Sequence, residues 1–169
     1  MGFGRIIINS FNPLWSHLKI YFYKMKNLLF EQINSLTKKD LPLVSNLSNA
    51  SAILNTLENI NWCGFYIVKD NTLYLGPFQG EVACTTIPYG KGVCGTCLKM
   101  KQSIIVNDVT KFEGHIACSS LSKSEIVVPI IKDNNVMAVI DIDSPLINRF
   151  TKENQLALEE VAEYLSTLF

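Results

Sequence analysis

Residues 125–143 read EIVVPIIKDNNVMAVIDID. Two apolar runs, Glu125 to Lys132 and Val136 to Asp143, flank Asp133-Asn134-Asn135. Turn residues between β-rich runs spell a hairpin. Its middle is apolar on both faces, so both faces of its sheet must be covered. Its end is different. Asp141 and Asp143 stand two apart in one strand and so share a face, about 6.5–7 Å from each other at the usual rise. A turn centred on Asn134 sets Glu125 opposite Asp143 and Val127 opposite Asp141. Three carboxyls then gather at one end of one sheet face. Carboxylates inside an apolar run cost folding free energy unless solvated or paired. Crowded and partly buried, they raise one another's pKa, so one can keep its proton near neutral pH and give it to a substrate oxygen. A strand end open to solvent would instead hold three ordinary exposed acids.

Upstream, Trp62 to Val68 and Leu73 to Phe78 form a second hairpin around Lys69-Asp70-Asn71. Thr85 to Ile87 reads as a short strand ended by Pro88, and Tyr89-Gly90-Lys91-Gly92 as a turn. Val93 to Lys101 reads as a short helix and Ser103 to Val106 as a short strand. Helices bracket these strands. One runs from Leu28 to Leu36. Another follows Pro42, with Leu43, Leu47, Ala50, Leu54 and Leu57 at helical spacing. A last one is capped by Thr151, with Leu158, Val161, Ala162, Leu165, Leu168 and Phe169 as its apolar positions. The pattern predicts an α+β domain, a central and mostly antiparallel sheet flanked by N- and C-terminal helices. Residues 107–123 are polar and irregular, and loops of that length are usually functional or disordered. Residues 1–24 lack the regularity of 25–169. Either they precede a true start at Met25, or Leu14 to Tyr23 adds a helix to the domain.

The chain has 169 residues, 48% hydrophobic and 18% charged, which fits one domain and excludes global disorder. Fifteen Lys and Arg balance fifteen Asp and Glu, with no basic stripe to neutralise phosphates, so nucleic acid is not an expected partner. No apolar run reaches the roughly 18–20 residues of a membrane-spanning helix. No signal-peptide pattern is present. Five cysteines, at 63, 84, 94, 97 and 118, are odd in number and unevenly spaced, a poor disulfide framework. A cytoplasmic protein with reduced thiols is expected, where cysteines signal packing, metal or redox chemistry.

Cys118 lies in the long polar loop that leads to Glu125, a better setting for reactivity than a strand interior. Burial under the loop as a small hydrophobe is its plainer role. Cys84 and Cys94 flank another polar turn and could reach it. Cys94-Gly95-Thr96-Cys97 is a C-x-x-C without the βαβ context of a thioredoxin-like motif. A zinc site there would need His115 and Cys118 or Cys84 as further ligands, and no second ligand motif supports one, so no metal is expected. Cys63, inside a strand, reads as core. Trp62 and Tyr66 share a face with Gly64 between them. They either pack the core or wall a small pocket for an apolar group. His115 is a weak signal on the Cys118 loop.

The segments Asn61 to Tyr66, Leu75 to Gly80, Gly90 to Gly95, Gly114 to Cys118, Ser124 to Pro129 and Val139 to Ser144 occur in this order. Together they closely resemble the free methionine-(R)-sulfoxide reductases, which are GAF-domain enzymes. The resemblance covers about Leu28 to Leu168. It implies a GAF-like fold with Cys118 as nucleophile and Cys84 and Cys94 in disulfide recycling. It implies that Glu125, Asp141 and Asp143 hold the substrate amino group and sulfoxide oxygen. Trp62 and Tyr66 would line the pocket for the methyl-sulfur end, and backbone around Ile116 and Ala117 would help bind the substrate carboxylate. Glu125 and Asp143 are the proton donors expected as the S–O bond breaks. No bound cofactor is implied; thioredoxin serves as external reductant. GAF domains commonly dimerise, so a homodimer is an admissible assembly. Two departures stand out. Cys63 replaces a small residue such as alanine, and Cys97 is an additional thiol that leaves the resolving cysteine open among Cys84, Cys94 and Cys97. A non-catalytic GAF sensor of a small molecule is the alternative; it needs the pocket but leaves the three family cysteines unexplained.

Overall fold

The computed structural model describes residues 28–116 and 119–169. The stretch 1–24, with its expected helix near Leu14 to Tyr23, lies outside the described residues, as do Ala117 and Cys118. A first helix, α1, runs over 28–36. Then come α2 (Leu43–Leu54), β1 (Trp62–Lys69), β2 (Thr72–Gly80), β3 (Thr86–Pro88) and α3 (Gly92–Met100). After them come β4 (Ile104–Val106), a 3-10 turn (Val109–Lys111), β5 (Ser124–Lys132), β6 (Asn135–Ser144) and α4 (Lys152–Ser166). The strands form one antiparallel sheet in the order β3-β2-β1-β6-β5-β4. The α+β expectation holds.

Both hairpins close on two left-handed residues, Asp70-Asn71 (φ 49° and 56°) and Asp133-Asn134 (φ 50° and 62°). Asp and Asn tolerate this region better than other side chains, and such turns match strand twist. The second turn is one residue shorter than a loop of Asp133-Asn134-Asn135. The register nevertheless pairs Glu125 with Asp143 and Val127 with Asp141. The reason is a bulge: Ile130 faces Ala138 while Ile131 faces Val136, so unpaired Met137 supplies the missing residue. In β2 the register likewise slips opposite Phe65, around Gly76-Pro77, where proline could not donate to the ladder.

Strand order explains the site. β3 lies at one edge and β4 at the other, so the connection between them must cross the sheet. It does so as α3, which packs over β5 and β6. Helices α1, α2 and α4 cover the opposite face. There Ile33, Leu47, Leu54, Val161 and Leu165 meet Phe65, Ile126, Ile140 and Ile142 in a fully buried layer. Both faces are thus covered, as the two-sided apolar hairpin requires. Thr151 caps α4 in a reciprocal box with Asn154, accepting from its backbone N–H while Asn154 Oδ1 accepts from Thr151 N at 3.0 Å. The helices are shorter than their apolar patterns: α2 stops at Leu54 and α4 at Ser166. Leu57, Leu168 and Phe169 pack on the same core from beyond the helix ends. Among the described residues no helix is long and apolar enough to cross a membrane.

Candidate active site

Three adjacent strands place residues abreast on the α3 side. Trp62 on β1, Asp143 on β6 and Glu125 on β5 form one row; Gly64, Asp141 and Val127 form the next; Tyr66, Val139 and Pro129 follow. Gly64 is required there, because a Cβ would collide with Phe78 Cβ and would lie 2.8 Å from the Trp62 ring. The gap lets Trp62 stack between Tyr66 (centroids 5.9 Å) and Phe78 (5.5 Å). Trp62 Nε1 donates to the Glu81 carbonyl and the Tyr66 hydroxyl to the Cys84 carbonyl, each at 3.1 Å. These contacts tie the aromatic row to the segment that carries Cys84.

The three carboxyls are not at an open strand end. Glu125 and Asp141 are each only 6% exposed. Burial, and then the facing Asp143, push the Glu125 carboxyl well above its usual range. Burial, then Glu125 and Asp143, do the same to Asp141. Asp143 rises to about 6, chiefly by burial; the Ser122 hydroxyl and the nearby His115 ring hold it lower than the other two. Like charges directly opposite on one sheet face are unfavourable, and retaining protons relieves the repulsion. One Asp141 oxygen, Oδ1, is buried with no hydrogen-bond partner among the described residues.

The carboxyls line a cavity of about 30 Å³ with Cys94, His115, Ile116, Ser119 and Ser122. Trp62 and Tyr66 do not border it. Cys94, in the first turn of α3, points its thiol at Glu125 Oε1 (3.9 Å). His115 Nε2 stands 3.6 Å from Glu125 Oε2. Ile116 rests on Gly92, whose φ of +60° suits glycine. Cys84 is disulfide-bonded, whereas Cys63, Cys94 and Cys97 are free and buried thiols. Sequence reasoning missed Ser122, which also accepts from Asn61 Nδ2 (3.1 Å), and Ser119. Serines in a polar loop carry no signal of their own; only proximity to Glu125 in sequence hinted at them. A larger groove of about 490 Å³ between Lys101–Ser103 and α4 holds neither a thiol nor a buried carboxyl.

An antiparallel sheet crossed by α3, with helices behind it and a small acid-lined cavity in front, defines a GAF domain. The GAF-domain family model matches residues 50–169. The chain is 44% identical over 148 residues to the Escherichia coli free methionine-R-sulfoxide reductase, covering 87% of this chain and 88% of that one. It superposes on the reduced form of Staphylococcus aureus fRMsr with a TM-score of 0.81 and 46% identity, over 85% of this chain and 95% of that one. It also superposes on the Neisseria meningitidis free methionine-R-sulfoxide reductase in complex with its substrate (TM-score 0.79, 38% identity, 88% and 87% covered). The chain belongs to the free methionine-R-sulfoxide reductase family.

Proposed function

We propose that this chain reduces free methionine-(R)-sulfoxide to methionine, with Cys118 as nucleophile. The observation that carries the reading is the trio Glu125, Asp141 and Asp143, acids raised above their usual range and facing one cavity on the sheet face that also bears Cys84. The Cys118 thiolate attacks the sulfoxide sulfur. Oxide is a poor leaving group, so Glu125, whose carboxyl burial and Asp143 hold well above its usual range, donates as the S–O bond breaks. Asp143, ionised above about pH 6, pairs with the substrate ammonium alongside Asp141. Backbone around Ile116 and Ala117 receives the substrate carboxylate, and the aromatic row of Trp62 and Tyr66, set back from the cavity, bounds the methyl-sulfur end only once the cavity has opened toward it. The cavity admits only a water-sized group as it stands, so the substrate must part its walls.

The protonated oxygen passes to the Cys118 sulfur as its bond to the methionine sulfur breaks, so methionine departs and Cys118 is left as a sulfenic acid. Cys84 condenses with it, releasing water and forming a disulfide. The disulfide at Cys84 beside free Cys94 and Cys97 supports Cys84 as the resolving thiol. Cys94 then acts through its hydrogen bond to Glu125, with recycling as its secondary role. Thioredoxin dithiol returns the disulfide to thiols by exchange. No bound cofactor enters the scheme. The setting is the cytoplasm, with a homodimer as the assembly.

A single-turnover experiment tests the scheme. Reduced protein mixed with one equivalent of free methionine-(R)-sulfoxide should release one methionine and form one disulfide joining the peptides of Cys84 and Cys118. Cys84→Ser should stop at a sulfenic acid trappable on Cys118, and Cys118→Ser should release none. Methionine release by Cys118→Ser would refute the assignment.

A further inference from the structure

Cys94, Glu125 and Asp141 each bring one donor atom to a common point, all within 4.8 Å of one another, and all three residues are buried. We propose that this trio binds a thiophilic divalent cation of the zinc, cadmium or cobalt class, which blocks the pocket. The donors come from three elements, α3, β5 and β6, fixed by the strand register and the α3 crossing. One thiolate with two carboxylate oxygens suits zinc-like ions; magnesium and calcium prefer all-oxygen shells.

Three further observations point to a cation. Asp141 Oδ1 is buried, has no partner among the described residues, and belongs to a side chain lining the cavity. The cavity of about 30 Å³ has room for a single ion. His115, outside the trio, also lines the cavity, with its Nε2 3.6 Å from Glu125 Oε2. The set differs from the one a C-x-x-C suggests, because Cys97 is not part of it.

On binding, Cys94 releases its thiol proton to solvent and nothing is oxidised or reduced. The cation occupies Asp141, which helps hold the substrate ammonium, and the proton donor Glu125, so it competes with substrate. That consequence rests on the reductase reading; the binding does not.

The test is a titration of the full chain with cobalt(II), followed by absorbance. The disulfide at Cys84 is kept intact, so that the proposed redox pair supplies no thiolate. One equivalent should saturate a sulfur-to-cobalt charge-transfer band. Cys97→Ser should keep the band, Cys94→Ala should lose it, and Asp141→Asn should weaken binding by at least about tenfold. Circular dichroism checks that each variant is folded. Absence of a saturable band overturns the proposal, as does its survival in Cys94→Ala. If Cys94→Ala does not fold, unchanged affinity in Asp141→Asn overturns it instead. Cobalt that binds as expected but is not displaced by free methionine counts against the reductase reading of the pocket and leaves the metal site standing.

Discussion

Along β6, Ile140 and Ile142 point into the layer of α1, α2 and α4, while Asp141 and Asp143 point under α3. The same strand therefore builds a dry core with one set of residues and a cluster of strained acids with the next. The two sides also hold thiols of different character. Cys63, behind the sheet, donates to the Ser51 carbonyl at 3.4 Å and is pushed up to about 12, mainly by burial. Cys94, in front, is buried too but stands against Glu125 and Asp141. Strand alternation with a period of two lets apolar packing hold charged groups in register that would not gather by themselves. The helix-covered face supplies stability, and the α3 face spends part of it.

The sharpest division between the faces comes from paired substitutions. Glu125→Gln keeps the shape but removes the proton donor. It should lower kcat by roughly 10²–10⁴-fold, the usual worth of a positioned acid, while the melting temperature stays the same or rises. Steady-state kinetics beside a thermal scan reads both. Ile140→Ala, one residue from Asp141, should do the reverse. It removes fully buried apolar volume and should cost about 2–5 kcal/mol by chemical denaturation. A large activity loss at unchanged KM in protein still folded would blur the contrast.

The pH dependence of stability tests the acids directly. Asp143 has a folded-state pKa of about 6 against an ordinary 3.8. A folded state that holds protons more tightly than the unfolded one loses stability as pH rises between those two values. The contribution is complete below about pH 4 and gone above about pH 6, on the order of 3 kcal/mol. Glu125 and Asp141 are raised further, so the decline continues to higher pH. Denaturation midpoints at pH 5 and pH 7.5 should differ in the native protein and draw closer in Asp143→Asn. Ile140→Ala should shift both midpoints alike. The smallest effect belongs to Tyr66→Phe, which removes the hydroxyl that donates to the Cys84 carbonyl. It should cost about 1 kcal/mol and raise KM more than it lowers kcat.

Much of this was legible in the residues because it is local. Alternation in 125–143 puts Glu125, Asp141 and Asp143 on one face, and Asp-Asn pairs mark both turns. The register reads correctly although the turn is one residue shorter, because the bulge at Met137 cancels the difference. Contacts made across the sheet were not legible. Nothing near Cys94 in sequence says that α3 must cross to bring its thiol to Glu125. Nothing around Ser122 announces Asp143 and Asn61 as neighbours. Apolar periodicity overstates both α2 and α4, because Leu57, Leu168 and Phe169 pack on the core without being helical. The likeness to known reductases, by contrast, rests on short runs of contiguous residues and is visible before any fold.

The central claim is that the acid-lined pocket reduces one small sulfoxide. The most direct measurement follows NADPH consumption with thioredoxin and its reductase. Free methionine-(R)-sulfoxide, free methionine-(S)-sulfoxide and a blocked peptide-like sulfoxide are offered in parallel. The account predicts turnover of the free R form alone, abolished in Cys118→Ser. No turnover of any of the three by folded, fully reduced protein would contradict it and favour a GAF domain that binds a small molecule without transforming it.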